Sequence, residues 1–567
     1  MEDVLMERKS LLKSLAVIGL SGLVLAACGN SSDNSGSNGS GSNGSGNGEQ
    51  VLNWTTSSEL PTMDTTMVTD TVSFDIMNNV NEGLYRQNAE GKYEAGVLDG
   101  EPEISEDGSV YTYKIKEDAT WSNGDPVTAN DFVYAWQRLV DPDTAAPYSY
   151  LADGIIQNAT EIIAGEMEPS ELGAVAVDEK TLEVTYAKPV PYLEGLLSMA
   201  PFYPLNQAYV EEQGDSYATN SDTVLYNGPF ALSGWDGTNL NWSLVKNDSY
   251  WDADNVQLDT VNYQVLKETS TALNLFDSGE IDYTTVSGEY VAAREGDPNM
   301  DNAPESVVFF IKMNQERNGE ETPLANTNIR RGIAQAIDKQ SFADQVLQNG
   351  SLPADYLVPE GLASNPSTDV DFREDSTEGT GFVDYDVEAA QEAFNAGLEE
   401  LGTDSITLEL LVDDTENAKR SAEYIQGQLQ TNLPGLQVQI VSVPFKNRIA
   451  ANNSQDYDLQ VSGWGADYAD PINFLELFVT DGNNNNSGYS NEEYDALIQA
   501  ASDETEDLDK RWSDLVAAES LILEEAGIAP LYQRYGAYLE QPTVEDVVHH
   551  QVGASTSFKW ASKTAAE

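Results

Sequence analysis

Late in the chain, the segment GWGADYADP (residues 463–471) sets two carboxylates among aromatic side chains. Asp470 and Pro471 read as a helix start, because Asp is a favoured N-cap and Pro fits the first helical position. Asp467 invites chemistry. It lies between Trp464 and Tyr468 where a predicted strand ends, and a carboxylate placed there can hold a cation, although the same position also suits an ordinary surface-turn aspartate, one of 96 acids. Little else is equipped for catalysis. The single Cys excludes an intrachain disulfide and any multi-thiolate metal site. His549 and His550 are the only imidazoles, and they read as end-of-strand residues. Neither a G-x-S-x-G elbow nor an H-E-x-x-H zinc motif is present. Among 96 acidic residues some pair always falls at a glycosidase-like separation, so such a pair carries no information. The expectation is binding without catalysis, with no metal and no cofactor.

Lys and Arg number 28 against the 96 acids, a formal net charge of −68. That surface repels phosphate backbones and excludes nucleic acid as a partner. Acid-rich loops such as 369–375 read as solvated surface. The aromatic content, with 9 Trp, 27 Tyr and 15 Phe, excludes a disordered chain. A length of 567 residues suits several domain-sized bodies.

The first residues read as an address. Arg8, Lys9 and Lys13 precede LAVIGLSGLVLAA (15–27), too short to span a bilayer and the right length for a signal-peptide core. The run ends Leu25-Ala26-Ala27-Cys28-Gly29, which resembles the bacterial lipobox and makes Cys28 the candidate lipidated residue. Met6 gives a cleaner basic start than Met1. Residues 29–48 are Gly, Ser and Asn with one Asp, a flexible tether with a reach of about 25 Å.

Asp467 must be held by a body of alternating strands and helices. VYTYKIK (110–116) has the two-residue period of a half-buried strand, and Thr128–Asp131 opens a helix through Trp136 and Leu139. Residues 181–186, 240–245 and 261–266 read as strands. Residues 328–348 carry Ile329, Ile333, Ile337 and Phe342 at helical spacing. Residues 406–463 read β-α-β-α-β, the order of a parallel sheet, whose ligands sit beyond the carboxyl ends of the strands. The last strand delivers Trp464 and Asp467 to that place. Residues 492–526 read as largely helical, followed by a Tyr-rich strand, 532–539.

Several of these segments together resemble the extracellular oligopeptide-binding receptors of peptide ABC importers, of the family 5 solute-binding type. They are SEDGSV (105–110) running into WSNGDPVTANDF (121–132), NGPF (227–230), NIRR…AIDK (328–339) and GWGADYADP, in the family's order over roughly 50–560. The resemblance implies an α/β, two-lobed periplasmic-binding-protein-like fold with a hinge and an extra third domain in lobe one. The implied partition is signal peptide 1–27, lipidated Cys and tether 28–49, lobe-one core 50–85 plus 211–306 plus 531–567, extra domain 86–210 and lobe two 307–530.

By the same resemblance Asp467 pairs with a peptide's α-ammonium, Trp464 and Tyr468 flank it, and Phe445 lines a side-chain pocket. Tyr148 and Tyr150 both stand where relatives present one Tyr to the peptide. Val461 replaces an Arg that some relatives use for the carboxylate of short peptides, which points to longer or variable ligands. Arg330 and Arg331 read as structural. The implied partners are oligopeptides, the permease subunits of an importer and, through Cys28, the outer face of the cytoplasmic membrane; the receptor is expected to be a monomer. A same-fold receptor for a signalling peptide or a non-peptide solute is the alternative.

Overall fold

The computed structural model describes residues 50–190, 192–376 and 381–565. The signal peptide, Cys28 and the tether lie outside the described residues.

A four-stranded sheet runs in the order Val51–Thr56, Thr260–Val265, Asn241–Lys246, Phe230–Ser233, the first pair parallel and the others antiparallel. Leu52, Trp54, Trp242, Leu244, Val261 and Phe230 bury one face. Both ends of the described chain meet here. Gln50 donates from Nε2 to the Lys563 carbonyl at 2.8 Å, and Phe558 packs edge-on to Trp54.

A second, antiparallel sheet is formed by Glu103–Ile104, Val110–Lys114, Thr181–Thr185 and Ala174–Asp178, in that order. The helix Ala129–Val140 packs on it and buries Phe132, Trp136 and Leu139. Its start is fixed as the sequence predicts: the Thr128 N–H donates to Asp131 Oδ2 at 2.8 Å, half of a capping box.

The β-α-β-α-β unit is Ile406–Asp413, Glu416–Asn432, Leu436–Val443, Phe445–Asn453 and Leu459–Gly465. Ile406–Asp413 lies between the other two strands and is parallel to both. The sheet continues antiparallel through two long strands, Met300–Met313 and Ala529–Glu540, and ends at Tyr283–Thr285. Met300–Met313 pairs with Leu459–Gly465 only over its second half, from Val307. Its ladder to Ala529–Glu540 is broken between Pro304 and Val308. Proline has no N–H to give the ladder, and the register shifts just after it. These two strands link the region of the first sheet to the β-α-β-α-β unit.

The predicted helix over 328–348 is divided. Thr327–Gln335 ends before Asp338, whose side chain caps Lys339–Phe342 by accepting the Ser341 N–H at 2.9 Å; a wider π turn, Ala343–Leu347, follows. Arg330 is buried and donates to the carbonyls of Ala526 and Leu324, and Arg331 donates to that of Glu524. Both tie down the carboxyl end of the helix Leu508–Glu524, where carbonyls lack helical partners. Their role is structural.

Candidate ligand-binding cleft

A cleft of about 760 Å³ lies over the end of the Leu459–Gly465 strand. The β-α-β-α-β unit and the turn after it contribute Trp464, Asp467, Phe445 and Arg448 to its walls; the first sheet, helix Thr71–Val80 and its N-cap contribute Trp54, Phe74 and Asp70. Tyr532, Arg534 to Tyr538 and His549 to Thr556 contribute further wall.

Leu459–Gly465 is paired along its whole length on one side, with Val307–Met313. On the other side only Leu459 and Gln460 pair, with Leu410 and Leu411. From Val461 to Gly465 that edge has no strand partner among the described residues. An edge with free N–H and C=O groups beside a cleft is a template for an added strand.

Asp467 follows the open edge and is partly exposed to the cleft. Its backbone N–H donates to Asn473 Oδ1 at 2.9 Å, while Oδ2 accepts from Asn473 Nδ2 and Tyr148 Oη, both at 3.4 Å. Among the described residues no cationic side chain forms an ion pair with it. Removal from bulk water therefore dominates, and the carboxyl is pushed up to about 7, against weaker opposition from the two hydrogen bonds. A carboxylate held by neutral donors alone is a site that a cation would complete.

Trp464 belongs to the same construction. Its Nε1–H donates to Asn473 Oδ1 at 3.1 Å, so one buried asparagine positions both Trp464 and Asp467. Asn473 is not among the residues that the sequence singles out. It lies three residues after Asp470 in the first turn of the helix, and nothing in that spacing marks it. Asp470 does act as the helix start: Oδ1 accepts the Ile472 N–H at 3.0 Å, and Arg511 grips the carboxylate with two bonds of 2.9 Å.

Tyr148 lies 6.3 Å from Trp464, nearly parallel, and meets Phe74 edge-on at 5.6 Å. The three rings surround the approach to Asp467. Tyr150 does not line the cleft; it stands behind Tyr148 at 5.6 Å. Tyr468 is also off the wall. It stacks on Tyr192 at 4.5 Å and donates to Glu476 Oε1 at 2.8 Å, because the turn after Gly465 aims it into the core. Phe445 opens the helix Phe445–Asn453 and lies 5.1 Å under the Arg448 guanidinium, which is itself bound to Asp413 at 2.7 Å. Val461 lines the cleft.

The two histidines are strand-end residues that also reach the cleft wall. His549 stacks against Tyr538 at 4.7 Å. Burial, aided by nearby Arg86, pushes His550 down to about 4. Among the described residues no cluster of three His, Cys, Asp or Glu is placed to hold a metal ion, and no helix is long and apolar enough to cross a membrane.

Residues 92–486 match the family model of bacterial extracellular solute-binding proteins, family 5 Middle. The chain is 33% identical to a dipeptide-binding protein of Lactococcus lactis, over 98% of this chain and 100% of that one. The solved structure of Listeria monocytogenes OppA bound to peptide is 47% identical, with a TM-score of 0.88, covering 92% of this chain and all of that one. The structure of the pheromone receptor PrgZ, solved for its mode of peptide binding, is 35% identical with a TM-score of 0.86; the match covers 91% of this chain and 100% of that chain.

Proposed function

The chain belongs to family 5 of the bacterial extracellular solute-binding proteins, and from that premise we propose that it binds oligopeptides in extended form and delivers them to an ABC importer. Its fold is the two-lobed α/β binding-protein architecture with an extra domain, and its work is capture without covalent chemistry.

Asp467 carries the reading. A receptor for many sequences has to recognise what every peptide shares: its backbone groups and its charged amino terminus. The open edge at Val461–Gly465 offers strand pairing, and the cation-free carboxylate of Asp467 at the end of that edge offers a seat for the α-ammonium. Trp464 and Tyr148 enclose that ammonium, and Phe445 meets side chains further along. Tyr150 and Tyr468 support this wall from behind. In this reading lobe one comprises 50–85, 211–306 and 531–567 with the extra domain 86–210, lobe two comprises 307–530, and the paired strands Met300–Met313 and Ala529–Glu540 are the hinge.

Cys28 is the lipid attachment point, and the Gly/Ser/Asn segment after it lets the receptor turn above the outer face of the cytoplasmic membrane. A signalling-peptide receptor is the second reading, favoured by the likeness to PrgZ. Calorimetric titration with a peptide and its N-acetylated form tests the main one. The free amine should bind on the order of 100-fold more tightly, the cost of removing one partner of a desolvated charge pair. Equal affinity of the two forms would refute the assignment of Asp467.

A further inference from the structure

Lys312 lines the same cleft and, among the described residues, has no counter-charge. It lies on the Met300–Met313 strand opposite Gln460, is 8% exposed, and among the described residues forms no ion pair. Its Nζ has two polar contacts, Asn452 Oδ1 at 3.2 Å and the Asn484 carbonyl at 3.5 Å. The side chain of Gln460 is fully buried with neither amide atom hydrogen-bonded. Arg448, the nearby cation, is already bound to Asp413.

A buried ammonium answered only by amide oxygens is costly, as is a buried amide with no partner. Burial pushes the Lys312 ammonium down to about 7, and the charge of Arg448 adds to the effect. An anion would satisfy the ammonium in place of the missing carboxylate. We propose that Lys312 forms a second charged subsite of the cleft, which takes a carboxylate of the bound peptide, either its carboxyl terminus or an acidic side chain.

The inference rests on the peptide-receptor reading and adds a distance to it. Gln460 and Gly465 are five residues apart along their strand, about 17 Å at ~3.3 Å per residue. Asp467 lies just beyond Gly465. An extended peptide anchored there by its amine brings roughly its fourth to sixth residue to Lys312. Lys312 thus supplies a cation for longer peptides in a cleft where Val461 offers none.

The test uses two matched pairs of synthetic peptides in calorimetric titrations. The first pair is an apolar pentapeptide with a free carboxyl terminus and its amide. The second is an amidated octapeptide with Glu or Gln at position five. Wild type should favour the carboxylate member of at least one pair by on the order of 10- to 100-fold. A preference in the first pair assigns the carboxyl terminus, and one in the second assigns the side chain. Lys312→Met should abolish the preference by weakening the carboxylate member far more than the neutral one, with Lys312→Gln as the substitute if the Met variant misfolds. The proposal is overturned if wild type shows no preference in either pair, if the preference survives the substitution, or if neutral and charged members weaken alike. Failure of wild type to bind any of the four peptides would instead refute the peptide-receptor reading beneath it.

Discussion

Peptide affinity should be bell-shaped in pH, with its acid limb set by Asp467. In the empty cleft that carboxyl titrates at about 7, and the complex requires it ionised. A peptide's amine titrates at about 7.7–8.0 and must be protonated. Apparent affinity scales with the fraction of molecules in the competent state. The product of the two fractions peaks at about pH 7.4, falls about 50-fold by pH 5 and about eightfold by pH 9. Binding at pH 6 should release about 0.9 proton per peptide, since Asp467 enters that equilibrium mostly protonated. The assay is titration calorimetry from pH 5 to 9, in buffers of different ionisation enthalpy, with a carboxyl-amidated peptide lacking ionisable side chains, so that Lys312 is not engaged. Asp467→Asn serves as the reference that removes this group from the titration of the other cleft residues. The same shift fixes a stability effect. Because folding raises this carboxyl, its contribution is fully present below about pH 3.8 and is lost as pH rises through 7. The loss reaches about 4 kcal/mol at most, and less in proportion to solvent reaching Asp467 through the cleft. Empty Asp467→Asn should therefore be more stable than empty wild type at pH 8, with the difference shrinking toward pH 4. Flat affinity between pH 5 and 7, with no proton release, would show that Asp467 does not pair with the peptide's amine.

Three further outcomes are expected. Asn473→Ala should weaken binding of amine-bearing peptides and cost about 1–3 kcal/mol in denaturant unfolding, because it unties Trp464 and Asp467 together. Arg373→Met should cost about 3–5 kcal/mol by the same measurement, since it leaves the fully buried Glu519 carboxylate without its cation. Cys28→Ser should move the protein from the membrane fraction to the medium; unchanged fractionation would remove the proposed anchor.

The β-α-β-α-β unit was legible in the sequence because its strands alternate, or run apolar, between helices of ordinary length and clear starts. The helix start at Thr128 was legible for the same local reason, as was the cap at Asp470. The break within 328–348 was visible in principle, since Asp338 can cap, but apolar spacing across it masked the interruption. Side-chain direction past a strand end was not legible. Period-two alternation stops at Gly465, so only the folded turn shows Asp467 facing the cleft and Tyr468 facing the core. Tyr148 and Tyr150 sit in a short 3₁₀ turn, where no simple period tells front from back. Asn473 and Lys312 gave no sequence signal because each matters through a partner, or the lack of one, brought close by tertiary packing.

In the proposed function the cleft holds peptides by their amino terminus at Asp467. Native mass spectrometry of the protein taken from cells without refolding tests it most directly. Wild type should carry a ladder of peptide masses that is lost or strongly reduced in Asp467→Asn. A non-peptide mass, or a peptide ladder equally abundant in the variant, would contradict it.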